Sequence, residues 1–110
     1  MERKTILVIE DNELNRQTLV GILEEKYQVI TAVNGREGLE LLSKNAQRIA
    51  AVLLDIQMPV MNGFEFLEYV GQDSVLCKIP VIVTTVLDSS NDEKRCLELG
   101  AVDFISKPYD

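Results

Sequence analysis

The chain has 110 residues, of which 11 are basic and 18 are acidic, so its formal net charge is −7. This length, with 46% apolar and 26% charged residues, is typical of one folded domain with one core, which we expect to span residues 1–110. The acidic balance argues against direct nucleic-acid binding, which needs clustered Lys and Arg, and no apolar run approaches the roughly 18 residues of a membrane span.

The first half of the chain alternates strand-like and helix-like runs. Residues 6–9 are uniformly apolar and rich in β-branched side chains, as in a strand that is covered on both faces. Asn12 is a candidate helix cap, and the amphipathic run after it predicts a helix that ends near Tyr27. A second strand is predicted at residues 29–33, and the leucines within residues 39–42 predict the second helix.

The second half of the chain repeats this alternation. A third strand is predicted at residues 51–55, a helix around residues 64–70, and a fourth strand at residues 81–84. Ser90 and Glu93 have the spacing of a capping box, with Ser90 as the cap, which predicts the start of a fourth helix.

The end of the chain completes the fold prediction. Gly100 is a candidate C-terminal cap of the fourth helix, and a short fifth strand is predicted at residues 102–105. Five strands separated by four helices predict a doubly wound parallel α/β sheet. Because the fifth helix that would close this sheet is missing from the chain, we expect an N-terminal fragment of a longer protein. We also expect exposed apolar surface beside the first helix and the last strand, which would favour a homodimer.

Polar side chains follow the apolar strands at the edge of the sheet where ligands of doubly wound folds bind. They are Glu10 and Asp11 after the first strand, Asp55 at the end of the third, Thr84 at the end of the fourth and Lys107 after the fifth. Because the carboxyl ends of parallel strands share one edge, we expect these side chains to converge.

This set of side chains suits phosphoryl chemistry. Three neighbouring carboxylates repel one another, and a hard divalent cation such as Mg²⁺ removes that repulsion. A carboxylate can also attack phosphorus, and the phosphoryl oxygens then need metal, ammonium and hydroxyl partners. The cation site, Lys107 and Thr84 supply these partners, which favours phosphoryl transfer to Asp55.

Each of these side chains also has an ordinary explanation when it is considered alone. Glu10 and Asp11 suit the start of a helix because of the helix dipole, Thr84 is a normal strand residue, and Lys107 is a normal surface charge. Asp55 is harder to explain in this way, because a charge that closes a buried strand needs a partner. The hypothesis therefore depends on the joint pattern rather than on any single residue.

Over nearly its whole length, the chain resembles the receiver domain of bacterial response regulators. The matching segments are residues 8–12 (Val-Ile-Glu-Asp-Asn), 54–63 (Leu-Asp-Ile-Gln-Met-Pro-Val-Met-Asn-Gly), 83–84 (Val-Thr) and 105–108 (Ile-Ser-Lys-Pro). Together, in this order and spacing, these segments are highly specific for that family. The resemblance implies a flavodoxin-like α/β fold, with the five strands of the doubly wound parallel sheet in the order 2-1-3-4-5.

The resemblance implies a phosphoacceptor and a metal site. Asp55 matches the phosphoacceptor. Asp11 matches a direct ligand of Mg²⁺ (or Mn²⁺), Glu10 a residue that acts on the metal through a water, and Gln57 a ligand through its backbone carbonyl. Asp55 itself completes this metal-binding set.

The resemblance also implies a conformational switch. Lys107 matches the lysine that pairs with the phosphoryl group, and its peptide bond to Pro108 is typically cis in this family. Thr84 matches the hydroxyl that moves to bind a phosphoryl oxygen, and Phe104 matches the aromatic residue that turns inward with it. Plain core packing is the alternative explanation for Phe104.

Family members accept a phosphoryl group from the phosphohistidine of a sensor histidine kinase or a phosphotransfer protein, and they control an output domain. The resemblance therefore implies a signalling switch rather than an enzyme with an external substrate, and an output domain beyond this chain. Cys77 and Cys96, without C-x-x-C spacing or any His, are expected to be reduced thiols of a cytoplasmic protein. Leu14, Asn15 and Thr18 on the first helix are candidates for docking the partner.

The chain departs from the common family pattern beside the phosphoacceptor. Glu10 replaces the Asp of many members, a common variant that should keep metal binding. Thr85 stands where a small Ala is frequent and would narrow access to Asp55. Gln57 and Val86 flank the site, and Val86 has no group that could orient a water, which predicts slow self-dephosphorylation.

Three other functions compete with the phosphorylatable receiver. A phosphorylation-independent interaction module would be favoured if Asp55, Asp11 or Lys107 were missing, but all are present. A phosphatase of the Asp-x-Asp type needs a second carboxylate two residues after the nucleophile, where this chain has Gln57. A flavodoxin-type electron carrier needs a phosphate cradle after the first strand, where the acidic residues 10–11 would repel a flavin phosphate.

Overall fold

In a computed structural model of the chain, the described residues are 3–56, 58, 60–86 and 90–107, of which 85–86, 90–93 and 106–107 are described by their backbone alone. The strands are β1 (Thr5–Ile9), β2 (Gln28–Ala32), β3 (Ile49–Asp55), β4 (Val81–Val86) and β5 (Asp103–Lys107). The helices are α1 (Glu13–Leu23), α2 (Gly35–Lys44), α3 (Gly63–Gln72) and α4 (Ser90–Glu98), with a 3-10 turn at Leu76–Lys78. No helix in this described part of the chain is long and apolar enough to cross a membrane.

The strands form one parallel sheet in the order β2-β1-β3-β4-β5, which confirms the predicted fold. The order reverses at β1, because the chain forms β2 on one side of β1 and then returns to place β3 on the other side. The carboxyl ends of β1 and β3 therefore lie side by side at the point where such sheets bind ligands.

Strand β1 explains how the two faces of the sheet are filled. Its side chains alternate between a larger core cluster, which contains Leu7 and Ile9, and a smaller one, which contains Ile6 and Val8. The larger cluster includes the fully buried ring of Phe66, and burying such a side chain contributes roughly 1.5–3 kcal/mol. Every residue of β1 is buried, and it is an inner strand of the sheet that ends directly before the acidic residues.

The smaller cluster is incompletely covered. Ile22 on α1, Val102 just before β5 and Ile105 on β5 are exposed, and Ile82 on β4 is half-buried. The prediction of exposed apolar surface beside the first helix and the last strand is confirmed.

Helix α1 is shorter than predicted, since it ends at Leu23 and not near Tyr27. The backbone N–H groups of Lys26 and Tyr27 both donate to the carbonyl of Leu23, at 3.1 and 2.9 Å, and close a turn. The chain turns here because β2 must begin beside β1, where the N–H of Gln28 donates to the carbonyl of Lys4 at 2.9 Å.

Strand β5 continues two residues beyond its predicted end at Ile105. Its last pair with β4 is Lys107 with Val86, because β4 also continues past its predicted end at Thr84. Both strands were predicted to end where polar side chains begin. Their actual length is set by backbone pairing between them, which continues past those side chains. Lys107 therefore lies in the strand and not in the loop after it.

With Ser90 as its cap, the fourth helix was predicted to begin one residue after Ser90, but α4 begins at Ser90 itself. The predicted capping contacts of Ser90 and Glu93 lie outside the described side chains. The predicted cap at Gly100 is confirmed by its φ of 109°. The N–H groups of Gly100 and Ala101 donate to the carbonyls of Leu97 and Cys96, at 3.1 and 3.0 Å. These are the two hydrogen bonds of a Schellman motif, which needs a left-handed residue at this position.

The turn at Leu76–Lys78 has no counterpart among the predicted elements. The carboxylate of Asp73 accepts hydrogen bonds from the N–H groups of Leu76, at 2.9 Å, and Val75, at 2.8 Å. These two bonds hold the pKa of the exposed Asp73 carboxyl below its usual range. The Asp-Ser pair at residues 73–74 is a turn signal that would have predicted this element.

Val60 adopts a strained backbone conformation after β3. Its φ is 71°, which among the described residues other than glycine is the one positive value, and 71% of its surface is exposed. A β-branched residue in this region costs about 1–3 kcal/mol. Since Asn tolerates the left-handed region better, we expect Val60→Asn to raise the free energy of unfolding by about 1 kcal/mol in urea denaturation.

Val75 provides the matched control for this substitution. It is 57% exposed, but its φ of −92° is unstrained. Val75→Asn should therefore give no gain in stability, and an equal gain at both positions would show that backbone strain at Val60 is not the cause.

Candidate functional site

Three carboxylates meet where β1 and β3 end. Glu10 and Asp11 directly follow β1, and Asp55 is the last residue of β3. The two strands pair in register, with Ile9 beside Leu54. One oxygen atom from each carboxylate lies within 4.8 Å of those from the other two, so the structure brings these three candidate residues together.

The three carboxylates differ in exposure. Glu10 is 1% exposed and Asp55 is 4% exposed, while Asp11 faces solvent. Placing two buried carboxylates so close together is unfavourable unless hydrogen bonds or a cation compensate their charge. The arrangement therefore has an energetic cost that ordinary core packing does not explain.

Gly63 lies in close contact with the backbone at the end of β3. The N–H of Gly63 donates to the carbonyl of Ile56 at 2.9 Å. A Cβ atom at position 63 would lie 2.7 Å from the Cα of Ile56 and 2.9 Å from the carbonyl oxygen of Asp55. Only glycine leaves room for this contact, so Gly63 fixes the position of the strand end that carries Asp55.

Helix α1 holds Glu10 through two side chains. The Asn15 amide donates to the Glu10 carboxylate, with 3.2 Å between Nδ2 and Oε1. The Arg16 guanidinium donates to the backbone carbonyl of Glu10, with 2.9 Å between Nη1 and the oxygen. Both the backbone and the carboxylate of this buried residue are therefore attached to the helix that follows it.

Thr84 lies next to Asp55 in the sheet and is 1% exposed. Its hydroxyl lies 3.5 Å from the carbonyl oxygen of Leu54, which makes a long hydrogen bond. Phe104 lies one strand further along, beside Val83 in the β4–β5 register. Its ring is half-buried and packs against the larger core cluster, as the core-packing explanation expects.

Three other candidates are only partly described or lie outside the described residues. The backbone of Lys107 lies at the end of β5, at the same edge of the sheet as the carboxylates, but its side chain is not described. Gln57 and Pro108 lie outside the described residues, and so does the predicted cis bond between Lys107 and Pro108.

The carboxylate oxygens fit a small divalent cation. Mg²⁺ binds oxygen at about 2.1 Å, so two oxygens on opposite sides of it lie about 4 Å apart. The observed spread of up to 4.8 Å is close to that distance, and Mn²⁺ accepts the same ligands. Glu10, Asp11 and Asp55 could therefore hold Mg²⁺ or Mn²⁺, with waters completing the coordination.

Removing one charge from the cluster should stabilise the protein in the absence of metal. We expect Asp11→Asn to raise the free energy of unfolding by about 1 kcal/mol in a metal chelator, because carboxylate repulsion is relieved. Mg²⁺ at tenfold excess over its Kd should raise the free energy of unfolding of the unchanged protein by about 1.4 kcal/mol. The same Mg²⁺ concentration should stabilise the Asp11→Asn variant much less. Thermal unfolding with and without Mg²⁺ measures both effects.

Glu25→Gln is the matched control, because it also removes one exposed negative charge, but at a position that is distant in the sequence from the three carboxylates. It should leave the Mg²⁺-dependent stabilisation unchanged. An Asp11→Asn variant that is less stable than the unchanged protein without metal, or that keeps the full Mg²⁺ effect, would contradict the cation site.

The sheet is parallel and doubly wound, and the carboxylate cluster lies at its switch point. The chain therefore belongs to the class of flavodoxin-like α/β domains, with a cluster at this edge that suits a cation. The family model of the response regulator receiver domain matches residues 6–110. The chain therefore belongs to the receiver domains of two-component signalling, as its motifs predicted.

Individual relatives agree with this family. The chain is 36% identical over 106 residues to the polar-differentiation response regulator DivK of Brucella anthropi, covering 96% of this chain and 85% of DivK. The solved structure of the chemotaxis protein CheY4 of Vibrio cholerae is similar with a TM-score of 0.90 and 30% identity, covering 98% of this chain and 89% of CheY4. A two-component response regulator/GGDEF domain protein is similar with a TM-score of 0.86 and 26% identity, covering 97% of this chain but 44% of that protein.

Sequence reasoning missed the positions that support the carboxylates. Asn15 was predicted as a candidate for docking a partner, which stays a prediction, and its contact with the Glu10 carboxylate was not predicted. Neither Arg16 nor Gly63 was assigned a role at the site. The available signals were the place of Arg16 six residues after Glu10 and the place of Gly63 eight residues after Asp55.

Proposed function

We propose that this receiver domain accepts a phosphoryl group on Asp55 from the phosphohistidine of a sensor histidine kinase or a phosphotransfer protein, with Mg²⁺ or Mn²⁺ bound. The observation that carries the proposal is the meeting of three carboxylates, two of them almost completely buried, at one edge of the sheet. Membership of the receiver family supports it. A module used only for docking would not need to bury carboxylates so close together.

In the proposed reaction, a carboxylate oxygen of Asp55 forms a bond to phosphorus while the phosphorus–nitrogen bond of the phosphohistidine breaks. The histidine leaves as neutral imidazole when its other ring nitrogen carries a proton. Glu10, Asp11, Asp55 and the backbone carbonyl of Gln57 would hold the cation, which when bound neutralises charge on the phosphoryl oxygens.

Two further side chains are proposed to bind the phosphoryl group. The Lys107 ammonium would pair with one phosphoryl oxygen, and the Thr84 hydroxyl would donate to another. The long hydrogen bond from Thr84 to Leu54 is weak enough to be exchanged for a stronger one to a charged oxygen. Movement of Thr84 would free space for Phe104 to turn inward, which is the proposed conformational switch.

The proposed partners follow from the surface and from the relatives. Leu14 is 73% exposed in the first turn of α1, and with Asn15 and Thr18 it is proposed to form the docking site for the partner. We further propose that residues 1–110 are the receiver part of a longer protein, since this chain covers 44% of the similar response regulator/GGDEF domain protein. The location proposed for this protein is the cytoplasm. The domain would control an output domain, form a homodimer, bind no nucleic acid or membrane, and turn over no external substrate.

The proposal is tested by incubating the protein with acetyl phosphate and Mg²⁺ and measuring its intact mass. We expect a single phosphoryl adduct with Mg²⁺ and none with excess chelator. Circular dichroism in both conditions confirms that the protein is folded. A folded protein that forms no adduct, or forms it equally well in chelator, would contradict the proposal.

Val86 is proposed to make the phosphorylated state long-lived, because it offers no polar group to orient an attacking water. We expect Val86→Glu to shorten the half-life of the adduct by about tenfold or more. The half-life is measured by intact mass after the phosphodonor is removed. A short half-life in the unchanged protein that Val86→Glu does not alter would contradict this role.

A further inference from the structure

We propose that Asn15 is a positioning residue that holds the carboxylate of Glu10 in place for metal binding. This inference rests on the proposed function, because it concerns the cation site that the phosphorylation of Asp55 would use. It assigns Asn15 a role inside the site, in addition to the docking role predicted from its position on the first helix.

The first observation is the geometry at the start of α1. Asn12 is the N-cap, and its side chain accepts a hydrogen bond from the N–H of Asn15 at 2.9 Å. This bond fixes the backbone of Asn15 in the first turn. The Asn15 side chain is then directed at the Glu10 carboxylate, with 3.2 Å between Nδ2 and Oε1.

The start of α3 shows what a residue at the same helix position otherwise does. There the cap is Asn62, and Glu65 takes the position that Asn15 has in α1. The side chain of Glu65 accepts a hydrogen bond from the N–H of Asn62 at 3.3 Å and completes a capping box. The Asn15 side chain donates to Glu10, so this position in α1 serves the carboxylate cluster rather than a capping box.

The second observation concerns Glu10 itself. Glutamate has one more rotatable bond than aspartate, so its carboxylate needs an additional contact to stay in one orientation. Glu10 is 1% exposed, and the donation from Arg16 to its carbonyl fixes its backbone. The Asn15 amide then fixes the carboxylate end. An aspartate at position 10 would be shorter by one methylene group and would lose this contact.

The test is a double-mutant cycle in metal binding, measured by isothermal titration calorimetry with Mn²⁺ on the full chain. The four proteins are the unchanged protein, Asn15→Ala, Glu10→Asp and the double variant. We expect Asn15→Ala to weaken Mn²⁺ binding by about tenfold when Glu10 is present, because a hydrogen bond to a charged group is lost. In the Glu10→Asp background, the same change should alter the affinity less than about twofold.

Gln17→Ala is the matched control. The Gln17 amide donates to the carboxylate of Glu13 at 3.2 Å on the exposed side of the same helix, so this variant loses a similar hydrogen bond that does not involve Glu10. Its Mn²⁺ affinity should equal that of the unchanged protein. Asn15→Gln, which keeps the amide donor, should recover part of the lost affinity.

The outcomes separate this inference from the proposed function. If the unchanged protein binds no Mn²⁺, the cation site of the proposed function is wrong and the role of Asn15 is wrong with it. If the unchanged protein binds Mn²⁺ and Asn15→Ala binds it equally well, only the role of Asn15 is overturned. An equal loss of affinity with and without the Glu10→Asp substitution would also overturn it, because the effect would not pass through the Glu10 carboxylate.

Discussion

Asp55→Asn is expected to reduce phosphoryl transfer from acetyl phosphate to the assay background, a loss of at least about 100-fold. An amide oxygen is a far weaker nucleophile than a carboxylate oxygen, so the bond to phosphorus cannot form efficiently. The substitution nearly conserves the volume of a side chain that is 4% exposed. The variant should therefore stay folded, and its circular dichroism spectrum should match that of the unchanged protein.

Asp73→Asn is the control for this experiment. Asp73 is an exposed aspartate in a turn, where its carboxylate accepts backbone hydrogen bonds that an amide oxygen can also accept. Its phosphorylation should match that of the unchanged protein. A phosphoryl adduct that persists in Asp55→Asn would place the acceptor elsewhere and contradict the proposed role of Asp55.

Gly63→Ala is expected to change stability more than the other substitutions proposed for this protein. It should lower the free energy of unfolding by about 2–4 kcal/mol. The added Cβ would lie 2.7 Å from the Cα of Ile56 and 2.9 Å from the carbonyl oxygen of Asp55. Both contacts are with backbone, so no side chain can move aside to relieve them. Because the strand end must shift, phosphorylation should also become slower. Urea denaturation and the rate of adduct formation measure the two effects.

Gly21→Ala shows the opposite case in the same chain. Gly21 is exposed within α1, and apart from the nearby backbone of α1 itself no atom of the described residues lies within 4 Å of an added Cβ. Alanine has the higher helix propensity, so this variant should gain up to about 1 kcal/mol. Equal stability of Gly63→Ala and the unchanged protein would show that the loop after Asp55 adapts easily, and that Gly63 does not fix the strand end.

The sheet could be predicted from the sequence because each central strand is a short apolar run with polar residues at its end. That pattern also predicted that Glu10, Asp11 and Asp55 would meet, since parallel strands bring their carboxyl ends to one edge. The end of β5 could not be predicted in this way. Its length depends on backbone pairing with β4 up to Val86, which the side chains of β5 do not reveal.

The supporting contacts of the site were the harder part to predict. The Asn15 amide could as well have completed a capping box, as Glu65 does in α3, or faced a partner. Its hydrogen bond to the Glu10 carboxylate depends on how α1 follows β1 and on the length of the Glu10 side chain. Similarly, glycine is needed at position 63 because the backbone there lies very close to Asp55 and Ile56. The two segments are eight residues apart in the sequence, and the types of their residues do not reveal how closely they approach.

The central claim is that Asp55 carries the phosphoryl group, and chemical mapping of the acceptor tests it most directly. The protein is phosphorylated with acetyl phosphate and Mg²⁺ and then treated with borohydride, which reduces an acyl phosphate to an alcohol. Peptide mass spectrometry identifies the reduced residue. We expect the alcohol at Asp55 and at no other carboxylate. An alcohol at Glu10, Asp11 or another acidic residue, with Asp55 unmodified, would contradict the claim.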